Sequence, residues 1–145
     1  MISLRPAVAN DAPHIRELVR TAQINPLGLD WQRFTVVLAA NDEIVACGQI
    51  KPHRDGSHEL ASLVVDPAYR NQGIARILVE RLIAIHEGDL YLMCRRSLGD
   101  FYKKLGFEPI SNHEMPPYFR RVSRLASLVE LLQREGETLL VMRKT

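Results

Sequence analysis

A strand-to-helix turn offers the clearest chemistry in this sequence. Residues 63–75 read Leu63-Val64-Val65-Asp66-Pro67-Ala68-Tyr69-Arg70-Asn71-Gln72-Gly73-Ile74-Ala75: an apolar run, a polar turn with one glycine, then the start of an amphipathic stretch. A helix beginning in such a turn directs its first amide groups at whatever precedes it, and its macrodipole adds about half a positive charge there. Gly73 and the small Ala75 let the backbone approach a phosphate, and Arg70 and Arg76 add fixed positive charge. The turn lacks the Gly-Lys-Ser/Thr ending of a nucleoside-triphosphate loop and the Gly-x-Gly-x-x-Gly of a dinucleotide site. Physics alone therefore gives a phosphate-site candidate, against the ordinary alternative of a glycine helix cap.

The other reactive residue types are scattered. Cys47 and Cys94 form no Cys-x-x-Cys pair and each lies in an apolar stretch, which reads as two buried thiols. The histidines, His14, His53, His58, His86 and His113, show no ligand spacing such as His-Glu-x-x-His, so the expectation is chemistry without a metal. Arg120, Arg121 and Arg124 could fork onto a substrate carboxylate, set against the commoner fate of a solvated basic helix face. Nineteen basic and seventeen acidic residues give a formal charge of +2, too balanced to imply a nucleic-acid partner. No apolar run approaches the roughly 18 residues of a membrane span, and the first residues lack a signal-peptide layout; no membrane partner and a cytoplasmic location are expected.

A length of 145 residues with 46% hydrophobic and 25% charged content suits one globular domain, residues 1–145. Ile2 to Arg5 reads as a strand, and Asn10-Asp11 before Pro13 starts a helix carrying Ile15, Leu18, Val19 and Ala22 at helical spacing. Thr35 to Ala40, Glu43 to Lys51 and His58 to Val65 read as a three-stranded antiparallel meander, with Asn41-Asp42 as a two-residue hairpin. Ile74, Ile77, Leu78, Leu82 and Ile85 keep a 3.6-residue period up to Gly88. Leu90 to Cys94 suits a buried strand, Leu98 to Leu105 a helix closed by Gly106, and Phe107 to Ile110 a strand. The less regular stretch from Ser111 to Gly136 carries a helix with Val122, Leu125, Val129 and Leu132, and Thr138 to Met142 closes as a strand. The helix between His58–Val65 and the strand from Leu90 makes those two strands parallel neighbours.

Arg70-x-x-Gly73-x-Ala75 after Val65-Asp66-Pro67 resembles the acetyl-CoA signature of the GNAT superfamily of N-acetyltransferases. Phe101-Tyr102-Lys103-Lys104-Leu105-Gly106-Phe107 resembles a second signature of that family, and Leu4-Arg5-Pro6-Ala7 with Asp11 its usual opening. The resemblance implies a central mixed, mostly antiparallel sheet of six to seven strands flanked by helices, splayed into a V between 58–65 and 90–94. It implies acetyl-CoA as acetyl donor, with the backbone of Leu63, Val64 and Val65 on the pantetheine arm and the amides of Asn71, Gln72, Gly73, Ile74, Ala75 and Arg76, beside Arg70, on the pyrophosphate. Tyr102 matches the tyrosine that protonates the departing thiolate in many members, against an aromatic simply packed on a helix face. Glu59 is the matching candidate for general base, against a strand-edge carboxylate.

Such a base has a definite task. Freeing a lysine-like amine of its proton at pH 7 costs about 4.6 kcal/mol, against about 1 kcal/mol for an α-amino group. The carbonyl oxygen can be held by a strand amide near Val64, so the amine attacks the thioester directly. The acceptor expected is a primary amine of a small molecule or amino acid. The run from Glu59 to Arg70, with Gly106-Phe107-Glu108-Pro109 and Met115-Pro116-Pro117, is further similar to the acetyltransferase domain of N-acetylglutamate synthases. An acetyl-CoA-binding regulatory module and a protein or peptide acetyltransferase are the competing readings, and self-association as a homodimer is left open.

Overall fold

A computed structural model describes residues 1–132 and 138–145. Seven strands among them, β1 Ser3–Pro6, β2 Phe34–Leu38, β3 Ile44–Pro52, β4 His58–Val65, β5 Leu90–Arg95, β6 Glu108–Pro109 and β7 Leu139–Lys144, form a sheet of order β1-β2-β3-β4-β5-β7-β6. Four helices accompany it: α1 Ala12–Ala22, α2 Ile74–Ile85, α3 Gly99–Lys103 and α4 Pro117–Leu132. β4 pairs with β5 in parallel at Glu59↔Tyr91, as a strand-helix-strand connection through α2 favours, and the pairs β1–β2, β2–β3, β5–β7 and β6–β7 are antiparallel. The expected mixed, mostly antiparallel α/β sheet is therefore present. The end of the expected Ser111-to-Gly136 stretch, residues 133–136, lies outside the described residues.

The backbone gathers into two compact units, Met1–Lys51 with Leu60–Glu87 and Pro52–Glu59 with Gly88–Thr145, so the division runs through β4 after Glu59. In the first unit, Ile15, Leu18 and Val19 of α1 bury against Phe34, Val36 and Leu38 of β2, with Cys47 and Val64 completing the cluster. The start of α1 is fixed by Asp11, whose carboxylate accepts from Val8 N at 2.8 Å and from both terminal nitrogens of Arg5 at 2.6 and 3.1 Å. The Arg5 hydrogen bonds hold the Asp11 carboxyl below its ordinary range, outweighing the opposing effect of burial. On the other side of β3, a side chain at Gly48 would come within 3.1 Å of Leu63 and Leu82, so the glycine admits their close packing.

The hairpin between β2 and β3 differs from the expected two-residue turn. Asp42 N donates to Ala39 O and Ala39 N to Glu43 O, both at 2.9 Å, and Asp42 has φ 64°. The loop is thus Ala40 to Asp42, because an aspartate tolerates the left-handed conformation that a three-residue hairpin needs at its last position.

In the second unit, Met115 and Phe119 of the α4 region cover Val141 of β7 and pack with Tyr91 and Met93 of β5. Phe107 is fully buried and Phe101 half-buried. No helix of the described residues is long and apolar enough to cross a membrane.

Candidate active site

The turn after β4 is locally built to leave amides unclaimed. Asp66 N donates to Val45 O at 2.8 Å and Asp66 Oδ1 accepts from Ala68 N at 2.9 Å, folding Pro67–Tyr69 into a single 3-10 turn. Asn71 and Gly73 then both take the left-handed conformation, with φ 63° and 76°. Gly73 is the N-cap of α2 and no side chain caps the helix; its first internal hydrogen bond runs from Ile77 N to Gly73 O at 3.2 Å. The amides of Ile74, Ala75 and Arg76 precede that bond, which is where an anion finds helix donors. A Cβ placed on Gly73 meets nothing within 4 Å, so the approach to this backbone is open. Arg70 to Gly73 are exposed, Ile74 is buried in the core and Ala75 is half-buried. The Arg76 guanidinium is drawn back along the helix to Glu80 at 2.9 Å.

A cavity of about 150 Å³ adjoins this turn within the first unit, with Val64, Val65 and Arg70 on one side and His14, Glu17 and Thr21 of α1 on the other. It is too small for a whole nucleotide-bearing ligand and large enough for part of a chain-like one. The α1 residues were not singled out from the sequence, since their polar types at helical spacing look like an ordinary solvated face. The half-buried Leu63 directs its side chain toward Gly48.

The second unit holds the titratable cluster. Glu59 is 6% exposed, and its Oε1 lies 2.8 Å from His53 Nε2. The His53 ring stacks on Tyr118 at a centroid distance of 3.7 Å and 18° and meets the edge of Phe119 at 5.6 Å. Tyr118 N donates to Asp55 Oδ2 at 3.0 Å, and Asp55 Oδ1 accepts from Ser57 N and Oγ. Burial presses the Asp55 carboxyl upward, but these hydrogen bonds and nearby His53 hold it below its usual range. The phenol of Tyr118 is raised by burial and by the charge of Glu59, with Arg121 opposing. Neither His53 nor Tyr118 was picked out from the sequence; they lie 65 positions apart and no spacing rule connects a loop histidine to a later helix.

Tyr102 lies buried on α3, with Phe101 and Phe107 edge-on at 5.0 and 6.0 Å. Its backbone carbonyl accepts from Leu105 N and Phe107 N, which ties it to the turn at Gly106. Burial, with the charge of a Cys94 thiolate secondary, pushes its phenol up to about 12, so it is a standing hydrogen-bond donor near neutrality. Both cysteines are buried and unbridged; burial pushes Cys47 up to about 12 and raises Cys94 as well, leaving neither as a ready nucleophile. Arg120 donates to the carbonyls of Met115 at 2.9 Å and Asn112 at 3.4 Å, while Arg121 and Arg124 are exposed, as on the solvated basic face that is the commoner reading of these three arginines. No group of three metal-ligating side chains occurs among the described residues.

Residues 31–109 match the family described as acetyltransferase (GNAT) domain. No curated protein matches the sequence. Among solved structures, N-acetylglutamate synthase of Neisseria gonorrhoeae, complexed with coenzyme A and N-acetyl-glutamate, is similar at TM-score 0.72 and 20% identity, covering 99% of this chain and 35% of that one. This chain thus spans about a third of that synthase's length. Rv2747 of Mycobacterium tuberculosis, in complex with CoA and NLQ, is similar at TM-score 0.75 and 21% identity over 99% of this chain and 98% of that one. A GNAT-family acetyltransferase of Staphylococcus aureus is similar at TM-score 0.70 and 16% identity over 99% and 98%.

Proposed function

This chain belongs to the acetyltransferase (GNAT) family, and on that footing we propose that it moves the acetyl group of acetyl-CoA directly onto a primary amine of a small molecule or amino acid. The observation that carries the donor half is the opening of α2: two left-handed residues, three uncapped amides and an unobstructed Gly73 suit a pyrophosphate. Asn71, Gln72, Gly73, Ile74, Ala75 and Arg76 would hold it by backbone, and Arg70 by charge. The guanidinium of Arg76, already paired with Glu80, contributes less. The backbone of Leu63, Val64 and Val65 would carry the pantetheine arm, and the Val64 amide the developing oxyanion.

Proton handling falls to Glu59 and Tyr102. An amine enters as an ammonium ion, and Glu59 takes its first proton, freeing the lone pair to form the N–C bond. The C–S bond then breaks and the nitrogen's second proton balances the leaving thiolate. A phenol near 12 is about 3.5 pKa units weaker as an acid than a thiol near 8.5, so outright transfer from Tyr102 is uphill by roughly 5 kcal/mol. Its contribution is a hydrogen bond that stabilises the thiolate, with net proton gain completed from the nitrogen. Two titrating thiols pushed upward by burial support direct transfer over a covalent cysteine relay.

Coenzyme A thiol release across a panel of amino acids including glutamate, polyamines, aminoglycosides and short peptides, with Tyr102→Phe as control, tests this. Turnover on a small amine that falls in the control supports it. Tight acetyl-CoA binding with no turnover on any amine overturns it in favour of a binding module, and turnover on peptides alone reassigns the acceptor.

A further inference from the structure

We infer that His53 is a positioning residue for the transfer, forming with Glu59 a single proton-accepting pair that removes the proton of the incoming ammonium group. The inference rests on the acetyltransfer reading above and adds a residue and a mode of action to it.

A carboxylate with 6% exposure must be matched by a partner, because an isolated buried charge is costly. Arginine or lysine would match it permanently. Here one partner is an imidazole at 2.8 Å, with side-chain exposures of 9% for His53 and 8% for Glu59, and an imidazole carries two ring nitrogens, either of which can hold or accept a proton. A carboxylate hydrogen-bonded to an imidazole can hand a proton on through the ring, which a carboxylate held by a guanidinium cannot.

The surroundings hold the imidazole in one orientation. Tyr118 lies flat on one face and Phe119 edge-on, while Tyr118 N is tied to Asp55 in the same β3–β4 hairpin that carries His53. Phe119 in turn stacks on Tyr91, the residue in register with Glu59, at 5.2 Å. Contacts from the hairpin, from α4 and from β5 thus converge on one geometry. Asp55 from the hairpin faces His53 and Tyr118 from α4 faces Glu59, with Arg121 acting on Tyr118 in turn.

In balance, one ammonium proton passes to the pair and later to solvent, while the second nitrogen proton ends on coenzyme A. The products are the amide, coenzyme A and one released proton.

The test compares kcat/KM for an aliphatic primary amine and for methoxyamine, a nucleophile that is already unprotonated at pH 7, between pH 6 and 10. Wild type, His53→Gln, and His53→Ala with and without added imidazole are compared, with melting temperatures to register folding. At pH 7 the loss in His53→Gln should be at least ten-fold greater on the aliphatic amine than on methoxyamine, and the excess should vanish as pH nears the amine's own pKa. Imidazole should restore part of the His53→Ala rate on the aliphatic amine. Equal losses on both nucleophiles at every pH, or no loss, would overturn the inference and leave acetyltransfer standing. A wild type inert toward every amine would overturn acetyltransfer itself, and the inference with it.

Discussion

Glu59 Oε1 lies 2.8 Å from His53 Nε2, with both side chains almost closed to solvent. Glutamine at position 59 keeps the shape and a hydrogen bond to the imidazole but abolishes the carboxylate. Glu59→Gln should therefore melt within a few degrees of wild type while its turnover on an aliphatic amine falls about 100-fold. Undiminished turnover would remove Glu59 from the chemistry.

Tyr102→Phe deletes one hydroxyl from a ring already packed between Phe101 and Phe107. Folding should be little changed, and kcat should fall roughly 10- to 100-fold with KM for acetyl-CoA unaltered, since the hydroxyl acts on charge that develops as the thiolate departs. The alkaline limb of the wild-type pH profile should not come from this phenol below about pH 11, because burial places its pKa near 12.

Stability should erode on the alkaline side. Tyr102 and Cys47 are both pushed up to about 12, above ordinary values of 10.0 and 9.0, so from about pH 9 the unfolded chain sheds protons that the folded chain retains. Unfolding then becomes easier as pH rises through 9 to 12, by at most about 1.4 kcal/mol per pH unit for each group. Thermal melts at pH 8, 9, 10 and 11 should show a falling midpoint, and Cys47→Ala should flatten its onset near pH 9.

Asp11 gives the opposite sign. Its carboxyl is held low by Arg5, so the stability from this pair is complete above about pH 4 and is lost as pH falls through the lowered value. Asp11→Asn should cost about 1.5–3 kcal/mol at pH 7, the range for a charge-assisted hydrogen bond, and should remove the pair's share of the acid sensitivity. Urea melts at pH 7 and pH 3 would measure both.

Gly73 separates conformational from steric demands. Gly73→Ala imposes a left-handed φ on a residue with a Cβ, at a cost of about 1 kcal/mol, yet that Cβ meets no protein atom within 4 Å. A modest loss of stability with a much larger rise in KM for acetyl-CoA is expected; an unchanged KM would show that no ligand comes close at this position.

The fold was legible wherever periodicity was uninterrupted. Ile74 to Ile85 kept its helical spacing, and the crossover it forms made β4 and β5 parallel. The hairpin at Ala40 to Asp42 escaped because the choice between two and three loop residues turns on the backbone of Asp42, which its residue type permits without dictating. The turn at Arg70 to Ala75 was legible because glycine and arginine types speak directly of backbone freedom and charge. His53 was not, because its meaning comes from Tyr118, stacked on it by folding alone from 65 positions away. Arg120 is a like case: sequence gives its charge but not that the carbonyls of Asn112 and Met115 accept from it.

β7 is inserted between β5 and β6, although both precede it in the chain. On a ribosome, β5 and β6 would therefore emerge with the edge that each turns toward β7 unpaired, and would stay so until residues 139–144 had been made. This part of the sheet closes late, through contacts of long sequence separation, which slows folding and prolongs the exposure of strand edges to neighbouring chains.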